Sequence, residues 1–142
     1  MHENAELLGH IYKNSQIGFH AMELLKEKIN DPHFLTHCNT QLQKYGEIHK
    51  RATEILHDSG YEESSLRQMA QPSVSSEILL KTLHSGNPAN AAEILMQGST
   101  LGMIETTKSI RKCRDASPEI LHLATQLLQT EETGAEQSKS FL

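Results

Sequence analysis

Apolar residues recur every three or four positions along most of the chain, which is the period of an amphipathic α-helix. No stretch sustains the alternation of period two that marks a strand, and the only aromatic residues are three Tyr and three Phe. The pattern therefore predicts an all-α protein with a single domain that spans residues 1–142.

Four long helices are predicted, at about residues 4–29, 32–59, 88–114 and 118–142. Three of them begin at a capping residue followed by proline: Asp31-Pro32, Asn87-Pro88 and Ser117-Pro118. The capping side chain accepts a hydrogen bond from the helix N-terminus, and proline at the first helical position loses no needed N–H group. The turns before Pro32 and Pro118 are tight, so we expect two antiparallel helical hairpins.

Residues 60–87, between the two hairpins, are too many for a tight turn. A polar stretch comes first, and a short amphipathic helix is predicted at about residues 74–85, with the apolar set Ile78, Leu79, Leu80 and Leu83. About 13 extended residues reach up to roughly 43 Å, which is enough to climb the length of the bundle. We expect a four-helix bundle in which a long crossover joins the hairpins.

Two segments carry a resemblance to a known group of proteins. IYKNSQIGFHAMELL in the first helix and MQGSTLGMIETTKSI in the third resemble small uncharacterised ferritin-like four-helix-bundle proteins of anaerobic Firmicutes. The resemblance extends over nearly the whole chain and consists of packing patterns. It implies a ferritin-like fold and implies no particular activity.

The inward-facing stripes predict a polar layer midway along the bundle. Taken in alternating steps of three and four, the stripe of the third helix is Ala91, Leu95, Gly98, Gly102 and Glu105. At about 1.5 Å per residue, six polar inward positions fall within one slab roughly 8 Å thick. These six are Tyr12, Ser15, Tyr45, His49, Glu105 and Glu131.

This layer has two interpretations. In the first, His49, Glu105 and Glu131 coordinate one divalent metal, with Tyr12 and Tyr45 as outer partners. Carboxylate and imidazole ligands together suit iron, manganese or zinc. In the second, the layer is a hydrogen-bonded network that neutralises its buried carboxylates and fixes the register of the helices.

The usual ligand set of a ferritin-like di-iron site is incomplete in this sequence. Two Glu-X-X-His tetrads occur, at Glu54–His57 and Glu119–His122, but each lies beside the inward stripe and close to a helix end. The first helix offers Ser15, Gly18 and Met22 at its central inward positions and no glutamate. A standard di-iron oxidase or iron store is therefore not expected.

Composition narrows the function classes further. A net charge of -5 and a pI near 6.0 argue against nucleic-acid binding. No apolar run reaches the roughly 20 residues of a membrane span, and the first residues lack a signal-peptide pattern, so a cytoplasmic location is expected. Cys38 and Cys113 form no metal or redox motif, and we expect both to be reduced.

Two functional hypotheses follow. The first is a cytoplasmic, non-enzymatic bundle that acts by self-association, as a homodimer, or by binding an unknown protein partner. In that hypothesis the apolar residues of the crossover contribute to the dimer, and the polar layer is retained for specificity. The alternative is a metal-binding or metal-dependent redox protein with an incomplete ferritin-like site.

Overall fold

The computed structural model describes residues 2–61 and 86–142. They form four long helices: α1 (His2–Lys28), α2 (Pro32–Asp58), α3 (Pro88–Lys112) and α4 (Pro118–Ser138), followed by a 3₁₀ turn at Lys139–Phe141. Within these two ranges no strand occurs, so the all-α prediction is confirmed. The short helix predicted at about residues 74–85 lies outside the described residues.

α2, α3 and α4 begin where the capping residues predict. At α2 and α3 the capping side chain accepts a hydrogen bond, whereas at α4 it does not. The Asp31 carboxylate accepts the N–H of Phe34 at 2.9 Å, and the Asn87 side-chain oxygen accepts the N–H of Ala89 at 2.9 Å. Ser117 makes no side-chain cap, and its backbone N–H instead donates to Oδ1 of Asn4 at 2.7 Å. This last bond ties the start of α4 to the first turn of α1.

The C-terminal end of α4 differs from the prediction. The helix is predicted to run to about residue 142, but α4 ends at Ser138 and Leu142 is 66% exposed. The chain turns there so that Phe141 can pack edge-on against Phe34, with ring centroids 5.1 Å apart. Burial of an aromatic ring outweighs one more turn of helix at this end of the bundle.

The helices pair in two antiparallel hairpins. α1 packs along α2, and α3 along α4; α4 also contacts α1 and α2, and α3 contacts α1. Lys112 pairs with Glu6 at 2.6 Å, and a methyl group added at Gly86 would lie 3.3 Å from the carbonyl oxygen of Lys28. α3 therefore begins beside the end of α1 and ends beside its start.

The core lies along the bundle axis and is mainly aliphatic. Its largest fully buried side chains include Phe34, Leu7, Leu8, Ile11, Leu25, Ile29, Leu56 and Leu127. Cys38 and Cys113 are free thiols that are 0% exposed. Of the helices described, none is long and apolar enough to cross a membrane.

Candidate functional site

The site with the most unusual chemistry is a buried carboxyl group in the middle of α4. Glu131 is only 3% exposed. Gly102 on α3 provides the space for it, because a methyl group added at Gly102 would overlap Oε2 of Glu131. An alanine at position 102 would therefore displace this carboxyl, and the helices approach closely only because the residue is glycine.

A hydrogen-bonded chain links this carboxyl to α1. The Thr106 hydroxyl donates to Oε1 of Glu131 at 2.7 Å, and Nε2 of His10 lies 2.8 Å from the same hydroxyl oxygen. The side-chain amide of Asn14 lies 3.0 Å from Nδ1 of His10. Because the single hydroxyl hydrogen of Thr106 is used by Glu131, we assign the imidazole proton to Nε2, which donates to Thr106.

Burial makes the two titratable groups of this hydrogen-bonded series, Glu131 and His10, neutral near pH 7. Desolvation raises the pKa of Glu131 to about 8; the Thr106 hydrogen bond opposes this rise, and the charges of Glu105 and Glu132 add to it. Desolvation lowers the pKa of His10 to about 4, and the nearby Lys13 lowers it further. The arrangement therefore holds a protonated acid and a neutral imidazole on either side of one hydroxyl.

A second polar group lies between α1 and α2. Oγ of Ser15 is 3.2 Å from Nδ1 of His49 and also donates to the carbonyl oxygen of Tyr12 at 3.1 Å. The Tyr12 and His49 rings have centroids 4.6 Å apart at 41°. His49 is thus held by contacts with α1.

Tyr45 belongs to the same layer, and its ring packs against Gly18. A methyl group added at Gly18 would lie 2.5–2.6 Å from three carbons of the Tyr45 ring. Burial raises the pKa of the Tyr45 phenol above its usual range, and the charge that Glu131 carries when ionised raises it further. The prediction that Tyr12 and Tyr45 face the centre of the bundle agrees with their exposures of 3% and 5%.

Glu105 corrects the predicted layer, because its side chain is exposed. The buried positions of α3 are Ala91, Ala92, Leu95, Ser99 and Thr106. Ala91, Leu95 and Gly102 face inward as predicted, whereas Ser99 and Thr106 take the places predicted for Gly98 and Glu105. This difference places the Thr106 hydroxyl, and not a second carboxylate, beside Glu131, which avoids the cost of burying two acids together.

The predicted metal ligands are not assembled into one site. Across residues 2–61 and 86–142, no group of three or more His, Cys, Asp or Glu side chains is arranged to hold a metal ion. Glu131 is satisfied by Thr106, His49 contacts Ser15, and Glu105 is exposed. The donor set around Glu131 does not fit a three-ligand site, and the metal role of these residues, with iron, manganese or zinc, stays a prediction.

The two Glu-X-X-His tetrads are at the surface. All four of their end residues are exposed: Glu54, His57, Glu119 and His122. Arg51 joins the two tetrads through ion pairs, with Glu54 at 3.0 Å and with Glu119. Their acids therefore serve an exposed contact between α2 and α4.

The sequence analysis did not identify the half-buried His10 or several buried polar residues: His37, Gln41, Ser99, Thr106 and Thr130. Gln41 is 1% exposed, and among the described residues its amide oxygen and nitrogen have no hydrogen-bond partner. A methyl group added at Gly134 would lie 3.1 Å from Oε1 of Gln41 and 3.2 Å from Oγ of Ser99. The steps of four from Ala91 through Leu95 to Ser99 are a signal that could have identified the α3 residues.

Comparison of the chain with protein-family models, curated proteins and solved structures finds no match. A four-helix bundle hosts many unrelated functions, so the fold alone indicates none for this chain.

Proposed function

We propose that this protein is a non-enzymatic, cytoplasmic four-helix bundle that acts by self-association. The observation that carries the proposal is an apolar pair in the middle of α3: Leu101 is 42% exposed and Ile104 is 45% exposed. The other large exposed apolar residue in the described part of the chain is Leu142, at the end of the sequence. Covering a large aliphatic side chain completely is worth roughly 1.5–3 kcal/mol, so such a pair favours an interface.

The proposal includes a ferritin-like topology. Its support is that α3 starts beside the end of α1 and that α1–α2, α3–α4 and α1–α3 are antiparallel neighbours. In the proposed topology, residues 62–85 cross the length of the bundle between the end of α2 and the start of α3. Such a crossover is common among bundles of this type.

The role proposed for the polar layer is to fix how the helices align. Glu131 fits at Gly102 and Tyr45 fits at Gly18, so a one-turn slide between the helices of either hairpin would remove the space in that hairpin. A buried polar group that is bonded in one register and unsatisfied in the others favours that register. A non-enzymatic role is consistent with the thiols of Cys38 and Cys113, because burial raises the pKa of each and leaves it a weak nucleophile.

Analytical ultracentrifugation of the purified protein across a range of concentrations tests the self-association. We expect a reversible dimer whose dissociation constant rises by at least about tenfold in Leu101→Ser/Ile104→Ser. The control is Gln126→Ser, an exposed position on α4, which we expect to dimerise like the wild type. A wild-type protein that remains monomeric at the highest concentration would overturn the proposal.

Metal content tests the alternative function separately. Under the proposal, protein purified without a His tag and without chelators carries far less than one iron, manganese or zinc ion per chain. A stoichiometric ion that disappears in Glu131→Gln would favour the metal-binding alternative over self-association as the purpose of the layer.

A further inference from the structure

We infer that the self-association occurs through an antiparallel, twofold-symmetric pairing of α3 with α3 of a second copy. This inference rests on the proposed function, since it specifies the surface and the orientation of the dimer. Its basis is the arrangement of the charged residues that flank the exposed pair Leu101 and Ile104.

The charges on the outer face of α3 are arranged symmetrically about its centre. Glu93 precedes Gly102 by nine positions, and Arg111 follows Gly102 by nine. Eighteen residues make about five full helical turns, so both side chains lie on one line along the helix, within about 20° of Ile104. Both are exposed, as are Gln97 and Lys108 on the same face.

These charges are available for a partner. Within the described residues, neither Glu93 nor Arg111 has an ion-pair partner, and the same holds for Lys108. By contrast, Lys112 points toward α1 and pairs with Glu6 at 2.6 Å. The outer face of α3 thus has an acidic N-terminal part and a basic C-terminal part with an apolar centre.

The symmetry of the charges selects the antiparallel orientation. In an antiparallel pair with the twofold axis near Gly102, Glu93 of each copy meets Arg111 of the other, and Leu101 and Ile104 meet at the axis. A parallel pair would place Glu93 against Glu93 and Arg111 against Arg111. Opposite charges at neighbouring positions stabilise and like charges destabilise, so only the antiparallel pair is complementary.

The size of the contact sets the expected affinity. A single helix pair buries less surface than the roughly 1,200 Å² at the lower end of stable interfaces. We therefore expect a weak dimer that forms reversibly with concentration.

A charge-reversal cycle tests the inference in the full-length protein. Glu93→Arg alone and Arg111→Glu alone each turn two attractive pairs into repulsive ones, and we expect each to weaken dimerisation by about tenfold. The double variant Glu93→Arg/Arg111→Glu restores opposite charges, and its dissociation constant should return to within about threefold of the wild type. Circular dichroism confirms that these surface variants stay helical.

Disulfide trapping tests the orientation independently. In the antiparallel pair, residue 97 of one copy lies beside residue 108 of the other, so Gln97→Cys/Lys108→Cys should form a covalent dimer on mild oxidation. Within one chain the two positions are about 16 Å apart along α3, too far for an internal disulfide. Each single variant should remain uncrosslinked, because its own copies lie at least about 15 Å apart along the axis. Wild type is the background control, since Cys38 and Cys113 are 0% exposed.

The outcomes separate the inference from the proposed function. If wild type is a monomer, both fail. If wild type dimerises but the double charge variant stays weak, or if either single cysteine variant crosslinks to itself, the antiparallel pairing is wrong while self-association stands. Recovery in the charge cycle together with crosslinking confined to the double cysteine variant supports the pairing.

Discussion

The two hairpins solve the same packing problem with different chemistry. In the first, Tyr45 of α2 packs against Gly18 of α1; in the second, Glu131 of α4 packs against Gly102 of α3. Tyr45 follows Pro32 by thirteen positions, and Glu131 follows Pro118 by thirteen. Equivalent positions therefore hold an aromatic ring in one half of the bundle and a carboxyl group in the other.

The difference shows what each half requires from its neighbours. The Tyr45 ring is rigid and fills its space by apolar contact. The Glu131 carboxyl needs a donor from Thr106, draws His10 of α1 into the same chain, and keeps its proton at neutral pH. The contact in the first hairpin thus depends on the fit of the Tyr45 ring against Gly18. The contact in the second depends on the fit of Glu131 at Gly102 and also on the protonation of its carboxyl.

The largest expected effect is on the pH dependence of stability. Glu131 has a pKa of about 8 when folded and an ordinary value of 4.5 when unfolded, so between these pH values the folded protein holds a proton that the unfolded chain has lost. Stability therefore falls as pH rises through this window, by up to about 1.4 kcal/mol per pH unit.

His10 opposes this trend at lower pH. Its pKa is about 4 when folded and ordinarily 6.5, so the unfolded chain binds the extra proton between those values and stability rises with pH there. Burial also lowers the pKa of His37, which acts in the same direction. From about pH 6.5 to 8 the loss of stability due to Glu131 is therefore no longer opposed by His10 and His37. Urea unfolding of wild type and Glu131→Gln across this range measures it, and a difference between them that does not change with pH would contradict the account.

A smaller effect is expected in the first hairpin. Gly18→Ala places a methyl group 2.5–2.6 Å from three ring carbons of Tyr45, whose rigid ring is buried, so ring or helix must shift. Overpacking of this kind typically costs about 1–3 kcal/mol, partly offset by the roughly 1 kcal/mol gain in helix propensity. We expect a net loss of up to about 2 kcal/mol in denaturant unfolding. The matched control is Gly98→Ala, where the added methyl group meets no side chain or other helix of the described residues within 4 Å, and it should be slightly stabilising.

The smallest effect is expected from the same substitution in the second hairpin. In Gly102→Ala, the clashing atom is the end of a flexible glutamate side chain, which can rotate away at the loss of its bond to Thr106. A net change within about 1 kcal/mol is expected, since the helix-propensity gain offsets much of the loss. In a Glu131→Ala background, Gly102→Ala should become stabilising. Equal effects in both backgrounds would show that the carboxyl does not occupy this space.

Local signals predicted most of the fold. The capping-residue pairs located the starts of α2, α3 and α4, because a helix start depends on a few neighbouring residues. The apolar stripes of α1, α2 and α4 placed Tyr12, Tyr45 and Glu131 inside, where the structure has them.

The phase of α3 could not be read in the same way. Its centre places the large apolar Leu101 and Ile104 on the exposed face and the small Ser99 and Thr106 on the buried face, so apolar periodicity does not mark the buried set there. Which face of α3 is buried depends on a contact with another helix: Glu131 of α4 requires a hydrogen-bond donor, and Thr106 provides it. The contact of His10 with Thr106 joins residues 96 positions apart and has no local signal.

The most direct test of the central claim, that the second hairpin buries a protonated carboxyl, is a ¹³C NMR titration of the Glu131 side-chain carboxyl, assigned by comparison with Glu131→Gln. The account predicts a midpoint near pH 8 in the folded protein. A midpoint near the ordinary value of 4.5 would show that the carboxyl is ionised at neutral pH and would contradict the account.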